Sequence, residues 1–344
     1  MPGRVLCAIV MLLAMMTSPA AARMEVWFSP DNDTPDLLDM FRNPHAWDQA
    51  RGQISVIEFG PQQVGDDSAR HKNTYNDMVG VNAFRLLQSW GIKIAIEVPA
   101  IKEWDCTTQQ TLKHTLRLAD NVQKAGGGMP LLSMDEPLVS GVRACKDTME
   151  SAAAKTAAYI KEVTQRMPGV QVVEGEPYPS YSVDQLEHWL TLLIDAGARP
   201  ASFHVDANVH YLDAHPSVDV AGDLRRLRDW LRVRHMPFGV IFWSGYDPEP
   251  TDQAYYQRTM AWVRKVHAAI GAPDQAIFQS WVFRSAPRCK DTDAACNMPK
   301  LACTAADGAG CGEKGVPVNL PENNAAIFSH TRLINDGIKV LTGP

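Results

Sequence analysis

The sequence predicts an α/β fold, a (β/α)8 TIM barrel, on three observations. Eight short apolar runs alternate with eight amphipathic stretches, the strand and helix count of that barrel. The runs are nearly continuous in apolar residues, as parallel strands covered on both faces are. Acidic, amide and aromatic residues gather at the C-terminal ends of the runs, where such a barrel keeps its chemistry. A doubly wound open sheet is the competing architecture. It usually has fewer strands, and the first turn here carries no G-x-G-x-x-G.

Each element follows from local pattern. The first run, Met24 to Ser29, ends in Pro30-Asp31-Asn32-Asp33, and Thr34-Pro35 has the form of an N-cap with proline at the first helical position. The second run, Ile54 to Gly60, precedes a helical stretch from about Thr74 to Trp90, which Gly91 stops before the third run, Ile92 to Val98. Leu112, Leu116 and Leu118 mark a helix over Thr107 to Gln123. The fourth run, Pro130 to Asp135, ends in Asp135-Glu136-Pro137, and a helix over Thr148 to Arg166 follows. The later strands are Val170–Glu174, Ala201–Asp206, Phe238–Trp243 and Ala276–Val282. Their helices are expected at Val183–Ala196, through Leu224 to Leu231, at Gln253–Ile270, and at Glu322–Ile338.

Residues 1–22 have the order of a secretory signal peptide: Arg4, an apolar run from Val5 to Met16, then Ser18-Pro19-Ala20-Ala21-Ala22. That run is too short to span a bilayer. Cleavage after Ala22 is the expectation, giving a secreted or periplasmic product with a single barrel domain over residues 23–344. Losing Arg4 takes the formal charge from −6 to −7, and an acidic chain without a basic cluster is a poor nucleic-acid binder. No membrane segment and no cofactor are expected. Six cysteines remain after cleavage, with no C-x-x-C among them, which favours disulfides over a zinc ribbon. Cys106 and Cys145 follow strands three and four, so a bridge between their loops is geometrically reasonable. Cys289, Cys296, Cys303 and Cys311 fall in a cysteine-rich insertion at about 284–320 between strand 8 and helix 8; local pairing as 289–296 and 303–311 is one option.

The candidate site residues are those at the strand ends: Glu58, Gln62, Glu97, Asp135, Glu136, Glu174, Glu176, His204, Asp206, Asn208, Trp243, Gln279 and Trp281. Each has a plainer role available. Glu58 and Glu97 would serve equally as ion-pair partners of helix cations, Trp243 and Trp281 as core aromatics, and His204 as a satisfied buried imidazole. Asp135 and Glu136 are harder to dismiss, because burying adjacent acids beside an apolar run costs several kcal/mol unless they are paired or used. Strand alternation sends only one of them to the axis, and Pro137 offers the break that would admit both. Acids opposed across an apolar cleft with aromatic walls are what glycoside hydrolysis requires. No nucleophile elbow, Ser-His-Asp order or phosphate loop competes.

Met134-Asp135-Glu136-Pro137 resembles the Asn-Glu-Pro segment on strand four of the large retaining clan of (β/α)8 glycoside hydrolases, and the resemblance in layout covers the whole mature chain. It implies that Glu136 is the acid/base and that Asp135 orients a sugar hydroxyl. The clan's nucleophile would stand at the end of strand seven, where this chain has Phe242-Trp243-Ser244-Gly245 and no Glu. The second catalytic carboxylate then comes from Asp247 or Glu249 in the following loop, from Asp206, or from Glu176. The substrate-binding set is Asp135, Glu58, Glu97, Glu174, His204, Asn208, Trp243, Gln279 and Trp281, and the partner a carbohydrate. Two other readings remain. One is a divalent-metal sugar isomerase or epimerase using Glu97, Asp135, Glu174, His204 and Asp206. The other is a non-catalytic carbohydrate-binding barrel.

Overall fold

The structure, a computed structural model, describes residues 24–31, 34, 36–65, 73–245, 249, 251–280 and 317–343. Eight parallel strands close into a barrel: β1 (Glu25–Ser29), β2 (Val56–Phe59), β3 (Lys93–Val98), β4 (Leu131–Asp135), β5 (Val172–Tyr178), β6 (Phe203–Ala207), β7 (Phe238–Phe242) and β8 (Gln275–Gln279). Each pairs with the next, and β8 pairs with β1 over Glu25↔Gln275 to Ser29↔Gln279.

Alternation along the strands builds two cores. Trp27, Val56, Ala95, Leu131, Val173 and Ile277, with Ile241 against them, fill the barrel interior. The residues between them, among them Ile57, Phe59, Ile96, Leu132, Met134, Phe203, Val240 and Phe242, pack outward under the helices in one larger cluster. Full burial of each such side chain contributes about 1.5–3 kcal/mol. The two cores therefore fix which residue of every strand faces the axis, since a one-residue slip would exchange them.

Four elements depart from the pattern expected of the sequence. The stretch from Thr74 to Trp90 is two helices, Tyr75–Gly80 and Ala83–Ser89, separated at Asn82, which takes a left-handed conformation (φ 55°) that Asn tolerates better than most residues. Thr34 opens a turn rather than a helix: the first helical residues are Asp39–Arg42, and the Thr34 hydroxyl donates to the Asp31 carbonyl. The strand β5 runs to Tyr178 rather than stopping at Glu174, so Glu176 lies within the sheet. The last helix is His330–Thr342, capped by Ser329, because Glu322 is drawn away to accept hydrogen bonds from the backbone N–H groups of Gln49 and Ala50.

A disulfide joins Cys106 to Cys145, across a separation of 39 residues, and so ties the loop after β3 to the loop after β4. Chain-entropy arguments give a bridge of that span about 4 kcal/mol, less any native strain. The Cys106→Ser/Cys145→Ser double variant is expected to lose about 2–4 kcal/mol of unfolding free energy in a denaturant titration. An unchanged midpoint would show that the bridge constrains nothing the fold does not already hold. The 289–296 and 303–311 pairings lie outside the described residues.

Candidate active site

Every second residue along a strand, counted from an inner-core position or between outward ones, points at the axis, nearer the C-terminal mouth with each step. That rule brings Ser29, Glu58, Glu97, Ser133, Asp135, Asp206 and Gln279 inward. Glu58 is 6 % exposed, and the Ser133 and Ser29 hydroxyls bond its carboxyl. Burial raises its pKa, the two hydroxyls oppose that, and the neighbouring Asp135 adds to it. Burial also lifts Glu97 well above the usual carboxylate range, and the charges of Asp135, Glu58 and Glu136 reinforce this against Lys102.

At the tip of β4 the chain breaks. Glu136 takes a left-handed conformation, φ 52° and ψ 51°, directly before Pro137, which disfavours the right-handed helical region for the residue preceding it. Both of its backbone groups are bonded: its N–H to the Gly175 carbonyl (3.1 Å), and its carbonyl to the Ser140 N–H (3.0 Å). A non-glycine residue held at positive φ costs on the order of 1 kcal/mol and is maintained only by its surroundings. The break has a consequence for charge. Both Asp135 and Glu136 act on Lys102, which reaches the site from the loop after β3 and hydrogen-bonds Asp135 Oδ2. Burial works against the ammonium, but Asp135, Glu136 and Glu97 together hold Lys102 firmly protonated.

Two strands on, near the end of β6, Asp206 Oδ1 accepts a hydrogen bond from Trp243 Nε1 (2.7 Å), and Trp243 is almost fully buried. Gln279 stands beside Ser29, and its carbonyl accepts from the Tyr255 hydroxyl. Asn208 caps the helix Val209–Ala214, its side-chain oxygen accepting from the Tyr211 N–H (3.0 Å).

Other candidates lie elsewhere. His204 faces the axis near the opposite end, where its Nε2 pairs with Gln275, the first residue of β8, at 2.8 Å and its ring packs edge-on to Trp27. Gly239 makes room for it, since a Cβ there would stand 2.3 Å from the imidazole. Burial depresses its pKa to about 4, so the ring is neutral at ordinary pH. Glu174 and Glu176 occupy the helix-facing side of β5, alternating with inward Val173 and Gly175. The five-residue metal set is thus divided over two faces and two ends of the sheet. Among the described residues, no three His, Cys, Asp or Glu side chains are grouped to hold a metal ion. Glu249 is ion-paired with Arg258, and the His210 ring nitrogen Nε2 lies 3.2 Å from its Oε1. Asp247 and Trp281 lie outside the described residues.

Sequence reasoning missed Lys102. The signal was present: Lys102 follows β3 by four residues and precedes Cys106 by four, so a bridge to Cys145 brings it over β4. It also missed Trp104. This indole is 51 % exposed on a tight turn closed by the Asp105 N–H to Lys102 carbonyl bond (2.9 Å). Asp105 fixes that turn from the other side by accepting from Thr107, Gln110 and Thr111.

No family model and no curated protein matches the chain. Solved structures do align with it. One is an intracellular xylanase from Thermoanaerobacterium saccharolyticum, in complex with xylotriose: TM-score 0.47, 8 % identity, covering 77 % of this chain and 89 % of that one. A glucosidase from Croceicoccus marinus gives 0.46 and 15 %, covering 75 % of this chain and 60 % of its own. An aldolase, QR15, gives 0.43 and 9 %, covering 75 % and 89 %. These likenesses are to proteins of different chemistry.

Proposed function

We propose that the protein is a glycoside hydrolase acting on an oligosaccharide or polysaccharide, with Glu136 as proton donor and Asp206 as the opposing carboxylate. The observation that carries this reading is the left-handed break at Glu136, which lets adjacent acids share one mouth with Lys102. The carboxyls of Glu97 and Glu176 act on Glu136 in favour of a bound proton, against the Lys102 ammonium. In the reaction Glu136 passes that proton to the glycosidic oxygen as the bond from the anomeric carbon breaks. Asp206, held by Trp243, either attacks that carbon or takes a proton from the water that does. Glu58, Glu97 and the Asp135–Lys102 pair present donors and acceptors to sugar hydroxyls, and Trp104 offers an apolar face to a ring at the rim.

Export is part of the proposal. It rests on the N-terminal pattern of Arg4, apolar run and Ala20-Ala21-Ala22, and a disulfide such as Cys106–Cys145 suits an oxidising compartment. Mass spectrometry of the mature chain should find it starting at Arg23.

The test is reducing-sugar release from a panel of neutral, amino and acidic glycans, with and without EDTA. EDTA-resistant release is expected. Release abolished by EDTA and restored by magnesium or manganese would replace this reading with the metal-dependent one. Binding without release by any glycan in the panel would favour a non-catalytic barrel.

A further inference from the structure

Glu174 and Glu176 sit two residues apart on the helix-facing side of β5, both with no exposed surface. Their contacts form a chain. Trp189 Nε1, from the helix Val183–Asp195, donates to Glu174 Oε1 at 2.7 Å. Glu174 Oε2 is buried without an ordinary hydrogen-bond partner, and the Glu176 carboxyl is the acid beside it. Glu176 Oε1 accepts from the Leu138 N–H at 2.6 Å, and its Oε2 faces the Val139 N–H at 3.4 Å. Those two amides open the short helix Pro137–Val139, immediately after Glu136, and the start of a helix has no acceptor of its own for them.

Two buried carboxyls side by side do not both ionise; one proton between them removes the repulsion and supplies a hydrogen bond. The Glu176 O–H donates to Glu174, while the other Glu176 oxygen receives the Leu138 amide. We infer that this acid pair is a positioning device, clamping the Leu138 amide and thereby holding Glu136 in its left-handed conformation at the mouth. The inference rests on the reading of Glu136 as proton donor. It leaves Glu176 behind the reacting groups, acting through Glu136 rather than on substrate.

The clamp has a direction with pH. Burial is the largest cause raising the pKa of both acids; the charge of Glu174 and that of Glu136 raise Glu176 further, while the Leu138 N–H opposes. Tyr181, with the Arg143 guanidinium over its ring, is the other titratable neighbour of this group. At low pH the shared proton holds the two acids together and Glu176 against Leu138. As pH rises through the pair's raised pKa, the second ionisation replaces that hydrogen bond with repulsion, which drives Glu176 off the Leu138 amide even though a carboxylate is by itself the better acceptor.

The experiment is amide exchange at Leu138, from about pH 6 to about pH 9 and corrected for intrinsic base catalysis, in the wild type, Glu176→Gln and Glu176→Ala. Glu176→Gln keeps an acceptor for Leu138 and a donor for Glu174, and cannot lose a proton. It should match the wild type at low pH and keep its protection at high pH, where the wild type loses it. Glu176→Ala should exchange Leu138 roughly tenfold faster or more. On a hydrolysed glycan, kcat should fall at high pH in the wild type but not in Glu176→Gln, with KM nearly constant in both. Equal alkaline profiles for the wild type and Glu176→Gln would overturn the clamp, as would an unchanged Leu138 in a folded Glu176→Ala. If Glu176→Ala does not fold, the wild-type and Gln comparison decides alone. Exchange needs no substrate, so a protein that cleaves no glycan but shows the expected exchange sinks the catalytic reading and keeps the clamp.

Discussion

Replacing Glu136 by Gln is expected to lower kcat by about 10²–10⁴-fold with little change in KM, because a positioned proton donor contributes about that much to a rate. The substitution removes the proton without removing the volume. The backbone bonds that hold residue 136, to the Gly175 carbonyl and from the Ser140 N–H, do not involve its side chain. Thermal stability should therefore stay within about 0.5–1 kcal/mol of the wild type. Asp206→Asn should be comparably severe for a different reason: the amide keeps contact with Trp243 Nε1 through its oxygen, but offers no charge to the anomeric centre. The pair gives a sharper test than either alone. A substrate with a good leaving group, such as a nitrophenyl glycoside, needs little protonation. It should restore Glu136→Gln substantially and Asp206→Asn hardly at all. Equal rescue of both would reverse or void the assignment.

How far the sequence spoke can be judged at particular residues. The alternation of apolar runs with amphipathic stretches was enough for the barrel, because each parallel strand must be apolar on both faces and each helix on one. The Cys106–Cys145 bridge was also legible, since strand ends three and four are neighbours in any such barrel. The facing of Glu174 and Glu176 was not. Val170 to Glu174 reads as a complete strand, and only its continuation to Tyr178, with Val173 in the inner core, turns both acids toward the helices. His204 was ambiguous for a related reason: alternation does put it inward, but the sequence cannot say at which height, and Gln275 holds it near the start of β8. Lys102 escaped because it belongs to a loop, where no periodicity points a side chain anywhere.

Lys102 also carries the second large effect. Lys102→Met is expected to move the alkaline limb of the pH–activity profile upward, by about one to two pH units, because the ammonium beside Glu136 favours the charged form of that acid and its loss lets Glu136 keep its proton to higher pH. The acid limb, which reports Asp206, should stay in place, since the carboxyls that Lys102 acts on are those of Asp135, Glu136 and Glu97. Well above the wild-type optimum the variant should thus be about 10–100-fold faster than the wild type. The stability cost is set by exposure: the side chains of Lys102 and Asp135 are 19 % and 36 % exposed, so solvent screens the pair. About 1–3 kcal/mol is expected, less than for a fully buried pair. Adding Asp135→Asn to Lys102→Met should recover part of that loss, since the deficit is an uncompensated carboxylate rather than a missing contact. It should not restore the wild-type profile, because Glu136 and Glu97 also lose the ammonium. Additive losses in the double variant would mean that Lys102 supports the loop after β3 rather than the charges at the mouth.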